Sequence, residues 1–190
     1  MSSLTPIRFA EYDPKALSGM TGRVAVMVTP EGSMDQAART ANRLSKGAIA
    51  RLIESEGFKK AKSGDVIPLG WPAGMQAEAL DVLVLPRKLT PVEARKAGAK
   101  LATVSAGKRL TVMAGSMNKA ADLTLGIALR DYGFDNHKSP KDDKPEGEVV
   151  IASKVPSDLE TACAPLLAVA EGVHMTRDLV NEPANVLTTT

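Results

Sequence analysis

The side chains able to do chemistry are few and scattered. His137 and His174 are the only histidines, and neither has a catalytic motif around it, whereas a nucleophilic site needs a base beside its nucleophile. Cys163, the one cysteine, excludes an internal disulfide. It lies near a predicted helix start, which lowers a thiol pKa, but flanking Ala162 and Ala164 give it the look of a packed, inert residue. No Cys or His pair has metal-ligand spacing. Asp142-Asp143 would hold a hard cation only if other oxygens converged on it, and Lys141 and Lys144 flank the pair. One stretch suits an anion: Gly115-Ser-Met-Asn118 follows a predicted strand and opens a predicted helix, so its amides can face a negative group at a helix N-terminus. Gly115 and Ser116 are therefore candidate anion-site residues. The stretch lacks the glycine spacing of a dinucleotide or P-loop fingerprint, and a plain cap by Ser116 explains the pattern equally well.

These residues must be positioned by a regular alternation of elements. Ile7 to Phe9 reads as an edge strand. Arg23 to Thr29 is a strand apolar on both faces, with Val24, Val26 and Val28 opposite Ala25 and Met27, and so belongs inside a covered sheet. Ser33-Met-Asp-Gln36 has capping-box spacing, and Gly47 is expected to break the helix that follows into two pieces. After a polar turn at Lys59 to Asp65, Val66 to Leu69 and Ala79 to Leu85 are joined through Gly70-Trp-Pro-Ala-Gly74, too short for a parallel crossover; an antiparallel pair and a mixed sheet are predicted. Trp71 reads as a partly buried loop anchor. Thr90-Pro-Val-Glu93 is the strongest helix start, running to about Ala106 with Gly107 after it. A strand from Arg109 to Ala114, a helix from Met117 to Tyr132 capped by Ser116, and a strand from Val149 to Ala152 follow, which predicts parallel neighbours. Gly133 to Gly147 is polar and reads as a surface loop. Ser157-Asp-Leu-Glu160 opens a final helix with Leu159, Ala162, Leu166, Val169, Val173, Thr176 and Val180 as its apolar stripe, and Pro165 is expected to kink or split it.

Composition narrows the function classes. Aromatics are only 3% of the chain against 44% hydrophobic residues, so the core is aliphatic and base stacking on aromatic platforms is disfavoured. A formal charge of +2 is too balanced to imply a nucleic-acid partner. With no leader-like start and no long apolar run, the expected location is cytoplasmic, without membrane insertion.

The run Arg177-Asp-Leu-Val-Asn-Glu-Pro-Ala-Asn185 is the most specific signal. Pro183 and the restricted residue before it, Glu182, should end the last helix near Asn181. This run resembles the junction of the leucyl aminopeptidase (cytosol aminopeptidase) family, where an N-terminal α/β domain meets a C-terminal metallopeptidase domain. The resemblance implies a macro-like mixed, mostly parallel sheet with helices on both faces over residues 1–156. Residues 157–190 would be a linking helix and the first residues of a catalytic domain. Arg177, Asp178, Asn181, Pro183 and Asn185 would form the interdomain junction, with Arg177 and Asp178 fixing the linking helix rather than doing chemistry.

The same resemblance implies a cytoplasmic enzyme, hexameric at full length, that releases N-terminal amino acids from peptides using two divalent metals, manganese or zinc. Those metals belong to the catalytic domain, so no catalytic or metal-binding residue is assigned to this chain, which is expected to be inactive alone and to serve assembly and active-site access. Two other readings stay open. One is a nucleotide (ADP-ribose-like) or DNA-binding module, for which Lys59, Lys60, Lys62, Arg87, Lys88, Arg95, Lys96 and Lys100 would have to form one surface. The other is a stand-alone interaction protein.

Overall fold

A computed structural model describes residues 4–134 and 147–183. Strand β1 (Ile7–Glu11) leads through a 3-10 turn to β2 (Arg23–Val28). Helices α1 (Gln36–Leu44), α2 (Ala48–Glu54) and α3 (Glu56–Lys59) follow, then the hairpin β3 (Val66–Gly70) and β4 (Ala79–Val84). The chain then alternates: α4 (Pro91–Ser105), β5 (Leu110–Gly115), α5 (Ala120–Arg130), β6 (Val149–Ser153) and the long α6 (Pro156–Asn181). These strands form one sheet in the order β1-β6-β5-β2-β4-β3. Only β3 runs antiparallel, against β4, as the short connection requires.

Alternation along β2 builds a core on each side. Val24, Val26 and Val28 pack with Ala37, Ala41 and Ile49 on one face. Ala25 and Met27 turn to the other, where Leu101 of α4, Leu123 of α5 and Cys163 of α6 cover β5 and β6. Helices α4 and α5 approach closely because each is glycine at the crossing. A Cβ at Gly98 would overlap the Leu123 carbonyl, and one at Gly126 the Arg95 carbonyl. On β4, beside β2, Asp81 is only 1% exposed and accepts from Arg23 Nε at 2.9 Å and Nη2 at 2.6 Å.

Local signals fared unevenly. The Thr90–Glu93 capping box forms, and Gly47, with φ of 83°, separates α1 from α2. Ser33 does not cap α1; Asp35 does, accepting from the Ala38 amide at 2.7 Å, while Ser33 is drawn back to Thr29. Ser116 likewise caps nothing: the turn after β5 uses Met117, whose amide donates to Ala114, so α5 starts only at Ala120 and ends at Arg130. Nor does Ser157 cap α6. Proline is favoured at the first helical position, and Pro156 starts the helix two residues earlier without a side-chain cap. Pro165 does not split that helix; Thr161, whose carbonyl loses its donor, is exposed, so water can satisfy it.

Candidate functional site

Five parallel strands finish at one edge of the sheet, and their C-terminal ends open into a cleft of about 670 Å³. Tyr12 follows β1, Thr29 follows β2, Pro86 to Lys88 follow β4, Ser116 follows β5 and Lys154 follows β6. Backbone bonds tie these ends together. The Tyr12 amide donates to the Ser153 carbonyl at 2.9 Å, and the Lys154 amide to the Gly115 carbonyl at 3.0 Å. Gly115 has φ of 59°, and its α-carbon sits against the Tyr12 ring. Burial is the main reason the Tyr12 phenol is pushed up to about 12, so it remains a neutral donor at physiological pH. The predicted anion-site residues Gly115 and Ser116 thus line a cleft, although the helix cap expected beside them does not form.

The predicted junction residues cluster at the far end of α6. The Arg177 guanidinium lies 3.8 Å from the centroid of Tyr132, and Asn181 Nδ2 donates to the Tyr132 hydroxyl at 2.9 Å. His174, 1% exposed, meets the same ring edge-on at 5.2 Å and holds the Ala128 carbonyl at 3.1 Å through Nε2. Asp178 is buried one turn further on. The helix ends at Asn181 as the Glu182-Pro183 pair requires, and Pro183 is exposed. Asn185 lies outside the described residues, as do His137, Asp142 and Asp143. Cys163 is fully buried and burial pushes its thiol up, the inert environment its alanine neighbours predict.

Two readings are corrected. Trp71 is no buried anchor: it is 79% exposed, with φ of 47°. The apolar stripe on α6 is rotated from the one predicted. The buried side is Leu159, Cys163, Ala170, His174 and Asp178, which leaves Val169, Val173 and Val180 exposed. Polar His174 and Asp178 occupy the inner face, which a search for apolar spacing passes over. The cleft's other bases, Arg39, Lys119 and Lys154, were also missed, although Lys119 and Lys154 each stand just past a readable strand. The eight basic residues that a nucleic-acid surface would need are dispersed. Arg87 and Lys88 line the cleft, Lys60 and Lys100 a second hollow beside β3, and Arg95 lies 3.6 Å from Asp122 on α5. Among the described residues no group of three or more His, Cys, Asp or Glu side chains could hold a metal ion, and no helix is long and apolar enough to cross a membrane.

A mostly parallel six-stranded sheet, covered on both faces and open at its strand ends, defines an α/β domain of the macro type. The macro domain of ganglioside induced differentiation associated protein 2 has this fold, with a TM-score of 0.57 at 10% identity over 86% of this chain and 84% of that one. The family model for the cytosol aminopeptidase family, N-terminal domain, matches residues 25–141. A probable cytosol aminopeptidase from Dinoroseobacter shibae is 45% identical over 190 residues, covering 100% of this chain and 39% of the relative. The chain therefore belongs to the cytosol aminopeptidase family, as its N-terminal domain. A mutant of tomato leucine aminopeptidase shares the fold, with a TM-score of 0.73 at 17% identity, over 96% of this chain and 39% of that one. The chain spans about 39% of the length of the D. shibae relative. Family membership does not favour ADP-ribose or DNA binding as the function.

Proposed function

We propose that this chain is the non-catalytic N-terminal part of a cytoplasmic, metal-dependent leucyl aminopeptidase that releases N-terminal amino acids from peptides. Residues 1–156 form the domain proper, and residues 157–190 link it to a catalytic half in which two divalent metals, manganese or zinc, activate water and polarise the scissile carbonyl. The described residues offer no cluster of three or more His, Cys, Asp or Glu side chains to hold those metals. The full-length enzyme would be a hexamer, with this domain serving assembly and access to the active site.

The observation that carries this reading is the outer surface of α6. Val169 (57% exposed), Val180 (79%), Met175 and Leu179 leave the helix apolar on sides that its own domain does not cover. Large apolar side chains left exposed together on one helix mark a surface suited to another folded unit. The catalytic half is the partner that family membership supplies. Arg177 and Asn181 then act as positioning residues, holding α6 against the domain through Tyr132, with Asp178 buried on the same helix.

The test is hydrolysis of leucine p-nitroanilide with added manganese or zinc. The purified 190-residue chain should show none. Chelator-sensitive turnover by this chain alone would overturn the assignment. Co-expression with the catalytic region of the D. shibae relative should yield a co-purifying complex, and the Val173→Glu/Val180→Glu variant should lose it while keeping its circular dichroism spectrum.

A further inference from the structure

Trp71 is the only tryptophan of the chain, and the domain makes little use of it. It is 79% exposed, and among the described residues its indole makes no hydrogen bond or ring contact. Its φ of 47° is a left-handed value that a bulky side chain takes only where the surroundings impose it, and the proline after it favours extended torsions instead. The loop imposes it. The Trp71 amide donates to the Glu78 carbonyl at 2.9 Å, the Glu78 amide to the Gly22 carbonyl at 2.7 Å and the Gln76 amide to the Ser18 carbonyl at 3.0 Å. Pro72 is buried, and Gly74 lies so near the Leu44 carbonyl that a Cβ would overlap it. A connection fixed this firmly, with its one large ring held out in water, is preorganised for contact with another folded surface.

That ring stands at the end of the sheet opposite the cleft. Because β3 is antiparallel, Gly70 pairs with Ala79 at the start of β4 and brings Trp71 to where the parallel strands begin. Helix α6 leaves the domain at this same end: Asn181 binds Tyr132, and the neighbouring Asp131 carboxylate accepts from the Thr5 amide at 2.8 Å, just ahead of β1. Strands β1 and β3 are the two edges of the sheet, so five strand spacings, about 24 Å, separate the α6 exit from Trp71. Between them the rim is charged but self-neutralised. Glu148 faces Arg8 and Arg109, and Lys108 pairs with Glu78 at 3.1 Å, so a covering surface strands no lone charge.

We propose that Trp71 anchors a second contact with the catalytic half, which closes over this end of the sheet after leaving α6. The inference rests on the aminopeptidase reading. Size permits it: these 190 residues are 39% of the D. shibae relative, and the roughly 300 that remain form a body about 50 Å across, wide enough to reach both edges. Val180 and Leu179 at the α6 exit supply one apolar foothold and Trp71 the other. Two footholds this far apart fix the tilt between the halves, which a single helix does not.

A chain labelled with 5-fluorotryptophan carries its fluorine at position 71 alone, and mixing it with the unlabelled catalytic region of the D. shibae relative tests the contact. The chain by itself should give one resonance with the full water-to-heavy-water shift of an exposed indole. In the complex the resonance should move and lose most of that solvent shift. Trp71→Gly removes the left-handed strain, so the melting temperature of the isolated chain should hold or rise while its affinity for the catalytic region, by calorimetry, falls about ten-fold or more. Val92→Ala trims an exposed side chain at the cleft end and should match the parent. Suppose the complex forms and Val173→Glu/Val180→Glu breaks it, yet the fluorine keeps its solvent shift and Trp71→Gly binds as the parent does. This contact is then overturned and the aminopeptidase reading stands. No complex at all overturns both. Loss of the solvent shift in the chain alone as its concentration rises gives the ring to a second copy and overturns its assignment to the catalytic half.

Discussion

Arg23 and Asp81 show how a charged pair earns a place inside an aliphatic sheet. Removing one partner leaves the other charge buried, so Arg23→Ala should cost about 3–5 kcal/mol in urea unfolding, whereas replacing both by apolar residues of similar volume, Arg23→Met with Asp81→Leu, should restore most of that loss. Burial raises the Asp81 carboxyl above 3.8 more than Arg23 lowers it. Its contribution is therefore full below the unfolded value and declines as pH rises through the folded one. Asp65 behaves oppositely. Its hydrogen bond from Lys100 and the Lys62 amide hold its carboxyl below 3.8, so its contribution is present above that value and is lost as pH falls through the lower folded value. Because this pair is largely solvated, the effect is small. Asp65→Asn should flatten the acid limb of a plot of urea midpoint against pH without moving the neutral plateau by more than about 1 kcal/mol. Neither pair is legible in the sequence, since each joins residues brought together only by strand register or by α4 docking beside β3.

Among the elements, α4 and α5 are the most tightly packed pair, and glycine is the reason. Gly126→Ala would push a methyl into the Arg95 carbonyl, and relief requires the helices to separate. A loss of about 1–3 kcal/mol is expected from thermal or urea unfolding, far from the gain of up to about 1 kcal/mol that alanine brings in an open helix. Helix existence was readable throughout α1, α2, α4, α5 and α6, because the 3.6-residue period and the Thr90 capping box are local. Their starts were less so. Asp35 displaced Ser33, and Lys119 displaced Ser116, because short turns at Thr29–Ser33 and Ala114–Met117 precede each helix. The rotation of α6 was hidden for a related reason: two apolar faces compete on that helix, and docking through Cys163, Ala170 and His174 chose the one with fewer large side chains.

At the scale of the molecule, both cores share one sheet, and every central strand contributes to each. Loss of either face exposes the other, so unfolding should be a single cooperative event. Circular dichroism and the exchange of amides on β2, β5 and α1 should give coincident urea transitions; an α1 to α3 layer that melts separately would contradict this. The sequence by itself determined the class of fold, the number and kind of its main elements, the antiparallel β3–β4 hairpin and the family, because periodicity, turn length and the Arg177 to Pro183 run are all properties of neighbouring residues. Only the tertiary structure decided that β2 lies between β4 and β5, since strand order depends on long-range pairing that no local spacing records. That order brings the ends of five strands to one edge, and with them Arg39, Lys88, Lys119 and Lys154, residues with nothing in common in the chain, into one cleft. It also settled which side of α6 faces inward, because burial is fixed by what the helix packs against and not by its own pattern.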